Sequence, residues 1–471
     1  MMTQHTRIES DFLGEKEISN DAYYGVQSLR AKENFPITGH PLNKDLIRAL
    51  GMVKKAAAIA NFKVGYLEED KKNAIVQAAE EIIDGKHVKE FIVDSIQGGA
   101  GTSMNMNANE VIANRALEIL GREKGDYDYI SPNNHVNMAQ STNDAVPTAI
   151  HLAILMRAEA LLEVIDTMQE AFKEKSIEFD GYIKMGRTHL QDAIPIRLGQ
   201  EFGAYARVIG RDRKRIERSL DDLKEINIGA TAVGTGLNAS VEYIEHVVEE
   251  LSNISGYDLV SSENLVDATQ FTDAYVEVSA DLKIMMTNMS KIANDIRMMA
   301  SGPKAGLYEI KLPGRQPGSS IMPGKVNPVM PEMINQVAFQ VYGNDLTVSL
   351  ASEAGQFELN VMGPVLVYNL LQSIDVMHNG FKAFTEYCVA GITPNKEVME
   401  NYVNESLGVI TACVPHIGYK QSSEIVKEAL LTGKGVRELI LEHSILTKNQ
   451  LDHVLNPYEM TNIGISELPE E

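Results

Sequence analysis

The stretch that decides the fold runs from residue 275 to residue 299 and reads YVEVSADLKIMMTNMSKIANDIRMM. Its apolar residues recur at alternating spacings of three and four, the period of one face of an α-helix. This face consists of Tyr275, Val278, Leu282, Met285, Met289, Ile292, Ile296 and Met299. The unbroken alternation predicts a single helix that is longer than most helices of globular proteins.

Other segments show the same alternation, and together they predict a bundle. They run from Ile154 to Phe172, Phe202 to Leu223, Ile334 to Val348 and Val367 to Phe384. Five long helices are typical of a helical bundle. Some of them also carry apolar residues away from the main face, such as Leu155 and Met286, so we expect partner subunits to cover the extra faces. Shorter patterns on either side predict an N-terminal domain over 1–141, a central domain over 142–396 and a small helical C-terminal domain over 397–471.

The composition limits the classes of partner. The chain has 43 Lys and Arg against 65 Asp and Glu, a net charge of −22, which disfavours binding to nucleic acid or to an anionic membrane. An anionic ligand therefore needs a locally positive pocket. The two cysteines, Cys388 and Cys413, form no metal-ligand motif, so we expect no metal and a reducing environment. A polar N-terminus and the lack of a long apolar segment predict a cytoplasmic protein.

The most informative functional segment is the loop GSSIMPGKVNP at residues 318–328. Its glycines and prolines prevent a regular helix and leave backbone N–H groups without helical partners. These donors, together with Lys325, favour an anion. A serine among such donors, Ser319, could have its hydroxyl pKa lowered and act as a base. The alternative is an ordinary glycine–proline turn at the surface.

Three further polar segments precede predicted helices. QGGAGTSMNMN at 97–107 could bind an anion or cap a helix, and it lacks the ending of a phosphate-binding P-loop. QSTND at 140–144 could cap a helix and also bind a ligand. GRTHLQD at 186–192 combines a hydroxyl with an imidazole, for which a structural and a functional role both remain open. Such hydrogen-bonding groups suit a small doubly charged organic acid and disfavour metal hydrolysis or a catalytic triad.

The loop at 318–328 resembles the signature of the aspartase/fumarase superfamily, and the segments at 101–103, 141–144 and 188–189 resemble its other substrate-binding stretches. Within the superfamily, the N-terminal residues 8–27, the Ser-Thr-Asn-Asp run at 141–144 and residues 329–336 resemble the aspartase branch more than fumarases. Fumarase remains the alternative. A non-catalytic, crystallin-like structural protein is the hypothesis from another class.

The resemblance implies a fold and an assembly. The fold is mainly α, with three domains and a central bundle of five long helices. Four protomers would form a homotetramer with a twenty-helix core, and segments of three subunits would build each active site. The implied activity is reversible deamination of L-aspartate to fumarate and ammonia through an enediolate, with no cofactor.

The resemblance also implies roles for particular residues. Ser319 would be the base, its alkoxide stabilised by N–H groups around Met322. The substrate's β-carboxylate would be held by Thr102, Ser141, Thr142 and Ser320. Its α-carboxylate would be held by Thr188, Lys325 and Asn327, and its amino group would face Asn143 and His189.

Overall fold

A computed structural model of the protein describes residues 6–469. Residues 1–5 and 470–471, which belong to the predicted flanking domains, lie outside the described part. The chain forms two compact units. Of the described residues, the first contains 6–163, 213–286 and 339–378, and the second contains 164–212, 287–338 and 379–469. The three-domain division with boundaries after residues 141 and 396 stays a prediction.

Helices account for most of the described structure. In chain order they are α1 Val26–Asn34, α2 Lys44–Lys63, α3 Glu69–Ile83, α4 Thr102–Ile119, α5 Thr142–Glu178, α6 Leu198–Ser219, α7 Val241–Ser255, α8 Leu265–Gln270, α9 Asp273–Met299, α10 Val329–Glu353, α11 Gly363–Tyr387, α12 Lys396–Glu405, α13 Val414–Ile417, α14 Tyr419–Thr432, α15 Val436–Glu442, α16 Lys448–Val454 and α17 Pro457–Met460.

The strands form small two-stranded sheets. Their bounds are β1 Thr6–Asp11, β2 Gly14–Ser19, β3 Ile183–Thr188, β4 Gln191–Arg197, β5 Glu225–Ile226, β6 Val260–Ser261, β7 Ile310–Lys311 and β8 Thr393–Pro394. β1–β2, β3–β4 and β7–β8 pair antiparallel, and β5–β6 pair parallel. The sheets are too small to form the core, which is helical.

The five predicted long helices are present as α5, α6, α9, α10 and α11. The eight apolar positions quoted from α9 are all buried, with exposed fractions of 5% or less. Side chains three or four residues apart face the same neighbour only if the backbone stays helical. The buried stripe therefore requires a continuous helix over this segment. The prediction of a mainly α fold with five long helices is confirmed.

One face of α10 in the first unit is apolar and open. Phe339, Leu346 and Leu350 have exposed fractions of 62%, 61% and 59%, and their spacing of seven and four places them on one side of the helix. Within residues 6–469, no helix combines the length and the apolar character needed to cross a membrane.

Candidate active site

Thr102 lies where a left-handed loop in the first unit meets helix α4. Gly99, Ala100 and Gly101 have φ angles of 93°, 58° and 92°, so three consecutive residues adopt a conformation that glycine favours. The turn ends on Thr102, the first residue of α4, whose Oγ1 donates to the Gly99 carbonyl at 2.8 Å. The Thr102 side chain is exposed at the start of a helix, where backbone N–H groups favour a negative charge.

The polar segment at 140–144 forms the start of α5, which begins at Thr142 and not after the segment. Buried Asp144 lies in the first turn of this helix. Its carboxylate accepts the Ser141 N–H at 2.8 Å and the N–H groups of Gly229 and Thr231 at 3.0 Å each. Burial raises the pKa of the Asp144 carboxyl to about 6, and these three backbone donors act in the opposite direction. Asp144 thus fastens the first turn of α5 to residues 229–231.

The hydroxyls of Ser141 and Thr142 are acceptors of internal hydrogen bonds. Ser141 Oγ accepts from the Asn143 N–H at 3.2 Å, and Thr142 Oγ1 accepts from Asn105 Nδ2 at 3.3 Å. Each hydroxyl therefore keeps its own hydrogen for another acceptor. Asn143 Nδ2 donates one of its two hydrogens to the carbonyl of Ala232, at 2.7 Å, so the second can be donated to another acceptor.

Beneath this turn lies a buried lysine. Lys54 of α2 has an exposed fraction of 0%. Its Nζ donates to Asn105 Oδ1 at 2.7 Å, Gln140 Oε1 at 2.8 Å and Asn137 Oδ1 at 3.0 Å. Burial lowers the pKa of Lys54 to about 7, and the negative charge of Asp144 opposes that change. All these groups belong to the first unit.

Thr188 and His189 of the second unit occupy the tip of a β-hairpin rather than an irregular loop. His189 and Leu190 form the two-residue turn between β3 and β4, with φ angles of 54° and 61°. Thr188, His189 and Leu190 are all exposed. This hairpin was not predicted, because its alternation is short and interrupted by a bulge at Gly186.

An ion-pair group anchors the hairpin. The carboxylate of Glu309, whose side chain is fully buried, lies 2.8 Å from Arg187 Nη1 and 3.0 Å from Lys184 Nζ. Lys184 also pairs with Glu201 at 2.9 Å. Since both cations belong to β3, these contacts fix the strand that presents Thr188.

The loop at 318–328 folds onto itself. The Gly318 N–H donates to the Lys325 carbonyl at 2.7 Å, and Asn327 Nδ2 donates to the Gly318 carbonyl at 2.9 Å. Gly324, with a φ of 83°, allows the reversal. The bonds close a loop in which Ser320, Met322 and Lys325 are exposed.

Ser319 lies inside this closed loop. Its Oγ accepts hydrogen bonds from the backbone N–H groups of Ile321 and Met322, each at 3.2 Å. The two donors lie where the sequence analysis expected them. They stabilise negative charge on that oxygen more than they stabilise a neutral hydroxyl, so they favour its deprotonation.

The cavity beside the loop is positively charged. Its volume is about 1110 Å³, and Lys325 and Asn327 line it together with Arg297 and Lys311. Three cations and no Asp or Glu contribute to its lining within the described part of the chain. For a protein of net charge −22, this is the locally positive pocket that an anionic ligand requires.

The predicted residues thus form three groups. Thr102, Ser141, Thr142 and Asn143 belong to the first unit, while the hairpin tip with Thr188 and His189 and the loop with Ser319, Ser320, Met322, Lys325 and Asn327 belong to the second. Their joint role in one site stays a prediction. Within residues 6–469, no three His, Cys, Asp or Glu side chains are grouped to hold a metal ion.

Known proteins with similar sequences belong to one family. The family model described as "Lyase" matches residues 14–343, and the model described as "Fumarase C C-terminus" matches residues 409–462. The chain belongs to this lyase family. The prediction of a member of the aspartase/fumarase superfamily is confirmed.

Relatives in the family match almost the whole chain. The aspartate ammonia-lyase of Bacillus subtilis (strain 168) is 64% identical over 98% of this chain and 97% of the relative. The enzyme of the same name from Escherichia coli (strain K12) is 47% identical over 97% and 96%. A solved fumarate lyase:delta crystallin from Brucella melitensis, bound to cobalt, has a TM-score of 0.95 and 50% identity, covering 97% of this chain and all of that one.

The lyase family also includes a fumarase of similar structure. The class II fumarase of Schistosoma mansoni has a TM-score of 0.92 and 35% identity, and the match covers 97% of this chain and 99% of that chain. The shared fold therefore extends beyond the relatives that carry the aspartate ammonia-lyase name.

The sequence analysis missed Lys54 and Asn137, and it gave Asn105, which lies in the segment at 97–107, no role of its own. A signal for Lys54 was available, because it follows Leu50 by four residues and precedes Ala57 by three, and both neighbours are buried. A lysine at a helix position otherwise reserved for the core indicates a buried, hydrogen-bonded cation.

Proposed function

We propose that this chain is an aspartate ammonia-lyase, which reversibly converts L-aspartate into fumarate and ammonia. The relatives that carry this name are 47% to 64% identical to it over nearly the full length. The class II fumarase of Schistosoma mansoni is 35% identical. The similarity therefore favours the aspartase prediction over the fumarase alternative.

The observation that carries the proposal is the pair of N–H donors on Ser319 Oγ. As an alkoxide, this oxygen takes the proton from the substrate carbon next to the β-carboxylate. The electron pair of the broken C–H bond moves into the β-carboxylate and forms an enediolate. It then returns to make the carbon–carbon double bond as the C–N bond of the protonated amino group breaks, and neutral ammonia leaves with the electrons of that bond.

The β-carboxylate gains charge in this step and needs donors that are already oriented. We assign Thr102, Ser141, Thr142 and Ser320 to this role. The Thr102 hydroxyl donates to the Gly99 carbonyl, so it must turn away from that carbonyl to serve the substrate. The hydroxyl hydrogens of Ser141 and Thr142 support the assignment, since both oxygens are used as acceptors inside the protein. A donor aimed at developing negative charge contributes about 3 kcal/mol to lowering the barrier.

The other end of the substrate is assigned to residues of the second unit and to Asn143 of the first. Thr188, Lys325 and Asn327 hold the α-carboxylate, and the cations that line the cavity with Lys325 supply the countercharge. Asn143 and His189 face the amino group. The glycines at 318 and 324 allow the loop to move as it closes over substrate and excludes water.

We further propose that the protein is a cytoplasmic homotetramer with active sites shared between subunits. The apolar face of α10, with Phe339, Leu346 and Leu350 exposed, fits a second copy of the chain. Assembly of several copies would bring the three groups of residues together. Light scattering gives the mass in solution, and a monomer would contradict this part of the proposal.

Ser319→Ala tests the proposed chemistry. Fumarate formed from L-aspartate is followed by its ultraviolet absorbance, with L-malate as a parallel substrate. We expect the wild type to act on L-aspartate, and the variant to lose about 10³-fold in kcat, because a positioned general base contributes roughly 10²- to 10⁴-fold.

A surface serine serves as the matched control. Ser423 lies on α14 and donates only to the Tyr419 carbonyl, at 2.9 Å, so Ser423→Ala should keep full activity. Substantial turnover by Ser319→Ala would remove that residue from the role of base. Turnover of L-malate but not L-aspartate by the wild type would establish the fumarase alternative, and no turnover of either would favour the structural protein.

A further inference from the structure

The buried ammonium of Lys54 has no carboxylate partner at ion-pair distance anywhere in residues 6–469. Its three hydrogen-bond partners are side-chain amide oxygens, those of Asn105, Asn137 and Gln140. A fully buried cation is costly unless its hydrogen bonds are satisfied, and three acceptors match the three hydrogens of an ammonium. Because burying this ammonium is unfavourable, we expect it to perform a function.

The lysine determines how the amides are oriented. An ammonium group can only donate, so each amide must turn its C=O towards Nζ and its NH₂ away from it. Asn105 then directs its Nδ2 to Asn137 Oδ1 at 3.1 Å and to Thr142 Oγ1 at 3.3 Å. With the Asn105 amide reversed, an acceptor would face the threonine instead of a donor.

The orientation of Asn105 in turn fixes what Thr142 can do. Its hydroxyl oxygen accepts from Asn105, so the hydroxyl hydrogen is free to point to another acceptor. If Asn105 offered an acceptor, that hydrogen would be used internally. The chain Lys54–Asn105–Thr142 thus keeps Thr142 in the donor state that a carboxylate ligand needs.

The protonation of Lys54 responds to negative charge nearby. The negative charge of Asp144 raises the pKa of Lys54. Tyr243 is also buried close to Asp144, and burial raises its pKa, so its phenol stays neutral. Burial brings the pKa of Lys54 down to about 7, so a nearby negative charge favours its protonated form. Ligand binding and a correctly oriented amide cluster therefore reinforce each other.

We propose that Lys54 is a positioning residue of the reaction, which acts through the Asn105 amide to hold the Thr142 hydroxyl as a hydrogen-bond donor to the substrate carboxylate. This inference rests on the proposed function. It adds a residue that lies behind the substrate-binding hydroxyls and does not itself touch the substrate.

A double-mutant cycle tests the inference. Lys54→Met, Thr142→Val and the double variant are compared with the wild type in kcat and KM for L-aspartate. We expect each single change to lower kcat/KM by about 10- to 100-fold, the range for one hydrogen bond to a charged group. Since Lys54 acts through Thr142, the double variant should lie within about threefold of Thr142→Val.

The possible outcomes are distinct. If Lys54→Met lowers kcat/KM by the same factor with and without the Thr142 hydroxyl, the lysine has only a general structural role and the inference is wrong. A wild type that does not act on L-aspartate refutes the proposed function instead. If Lys54→Met does not fold, Asn105→Ser takes its place in the cycle, because it breaks the same link while keeping the lysine and its other two acceptors.

Discussion

Replacing Asp144 by alanine should loosen the first turn of α5 from the segment it is fastened to. The change removes the acceptor of three backbone N–H groups, those of Ser141, Gly229 and Thr231. The bonds from Gly229 and Thr231 are buried, so water does not replace the carboxylate easily. Each orphaned buried donor costs about 1–3 kcal/mol.

The two buried donors together give a local loss of about 4 kcal/mol. This corresponds to an increase of about 1000-fold in the opening of these hydrogen bonds, since 1.4 kcal/mol is tenfold. Hydrogen–deuterium exchange followed by mass spectrometry measures it directly, on peptides that cover residues 139–146 and 226–233. Both peptides should exchange faster in Asp144→Ala, whereas the rest of α5 and the other four long helices should keep their protection.

Asp258 offers a matched control. It is exposed, so Asp258→Ala removes a carboxylate of the same kind without orphaning a buried donor. Two results would refute the view that this carboxylate fastens the two segments. One is a rise in exchange of less than tenfold at both peptides in Asp144→Ala, and the other is an equal rise in the control. Faster exchange at only one peptide would show that Asp144 caps that segment without joining it to the other.

Two further predictions concern ligand binding and pH. Lys325→Ala should raise KM for L-aspartate by about 10- to 100-fold in steady-state assays, because the pocket loses a cation. The exposed control Lys420→Ala should leave KM unchanged. Equal KM values for Lys325→Ala and the wild type would contradict the assignment. The hydrogen-bonded Arg115 lowers the pKa of Glu81 from 4.5 to about 2, so the ionised carboxylate stabilises the fold above pH 4.5 and loses this effect as pH falls towards 2. Thermal midpoints of the wild type and Glu81→Gln should therefore differ above pH 4.5 and converge below it; a difference that stays constant down to pH 2 would be inconsistent with this role.

Much of the fold follows from local pattern. The five long helices were predicted because periodicity over 15 to 25 residues is a strong signal that few other structures share. The hairpin at 183–197 was missed, since a short strand pair with a bulge gives no comparable pattern. The early start of α5 was also missed. Its attachment to residues 229–231 could not be predicted either, because Asp144 receives those hydrogen bonds from residues 85 and 87 positions further along the chain.

The candidate site divides in the same way. Ser319 and its two N–H donors lie within three residues of each other, so the sequence alone determined that this serine would sit among backbone donors. Only the tertiary structure decided that Lys54 lies beneath the start of α5 and is linked to it by hydrogen bonds. Its acceptors lie 51, 83 and 86 residues away, and three amides can surround one ammonium only after separate helices and loops have packed together. Contacts within a loop are fixed by short-range geometry, whereas a buried cation depends on the packing of distant segments.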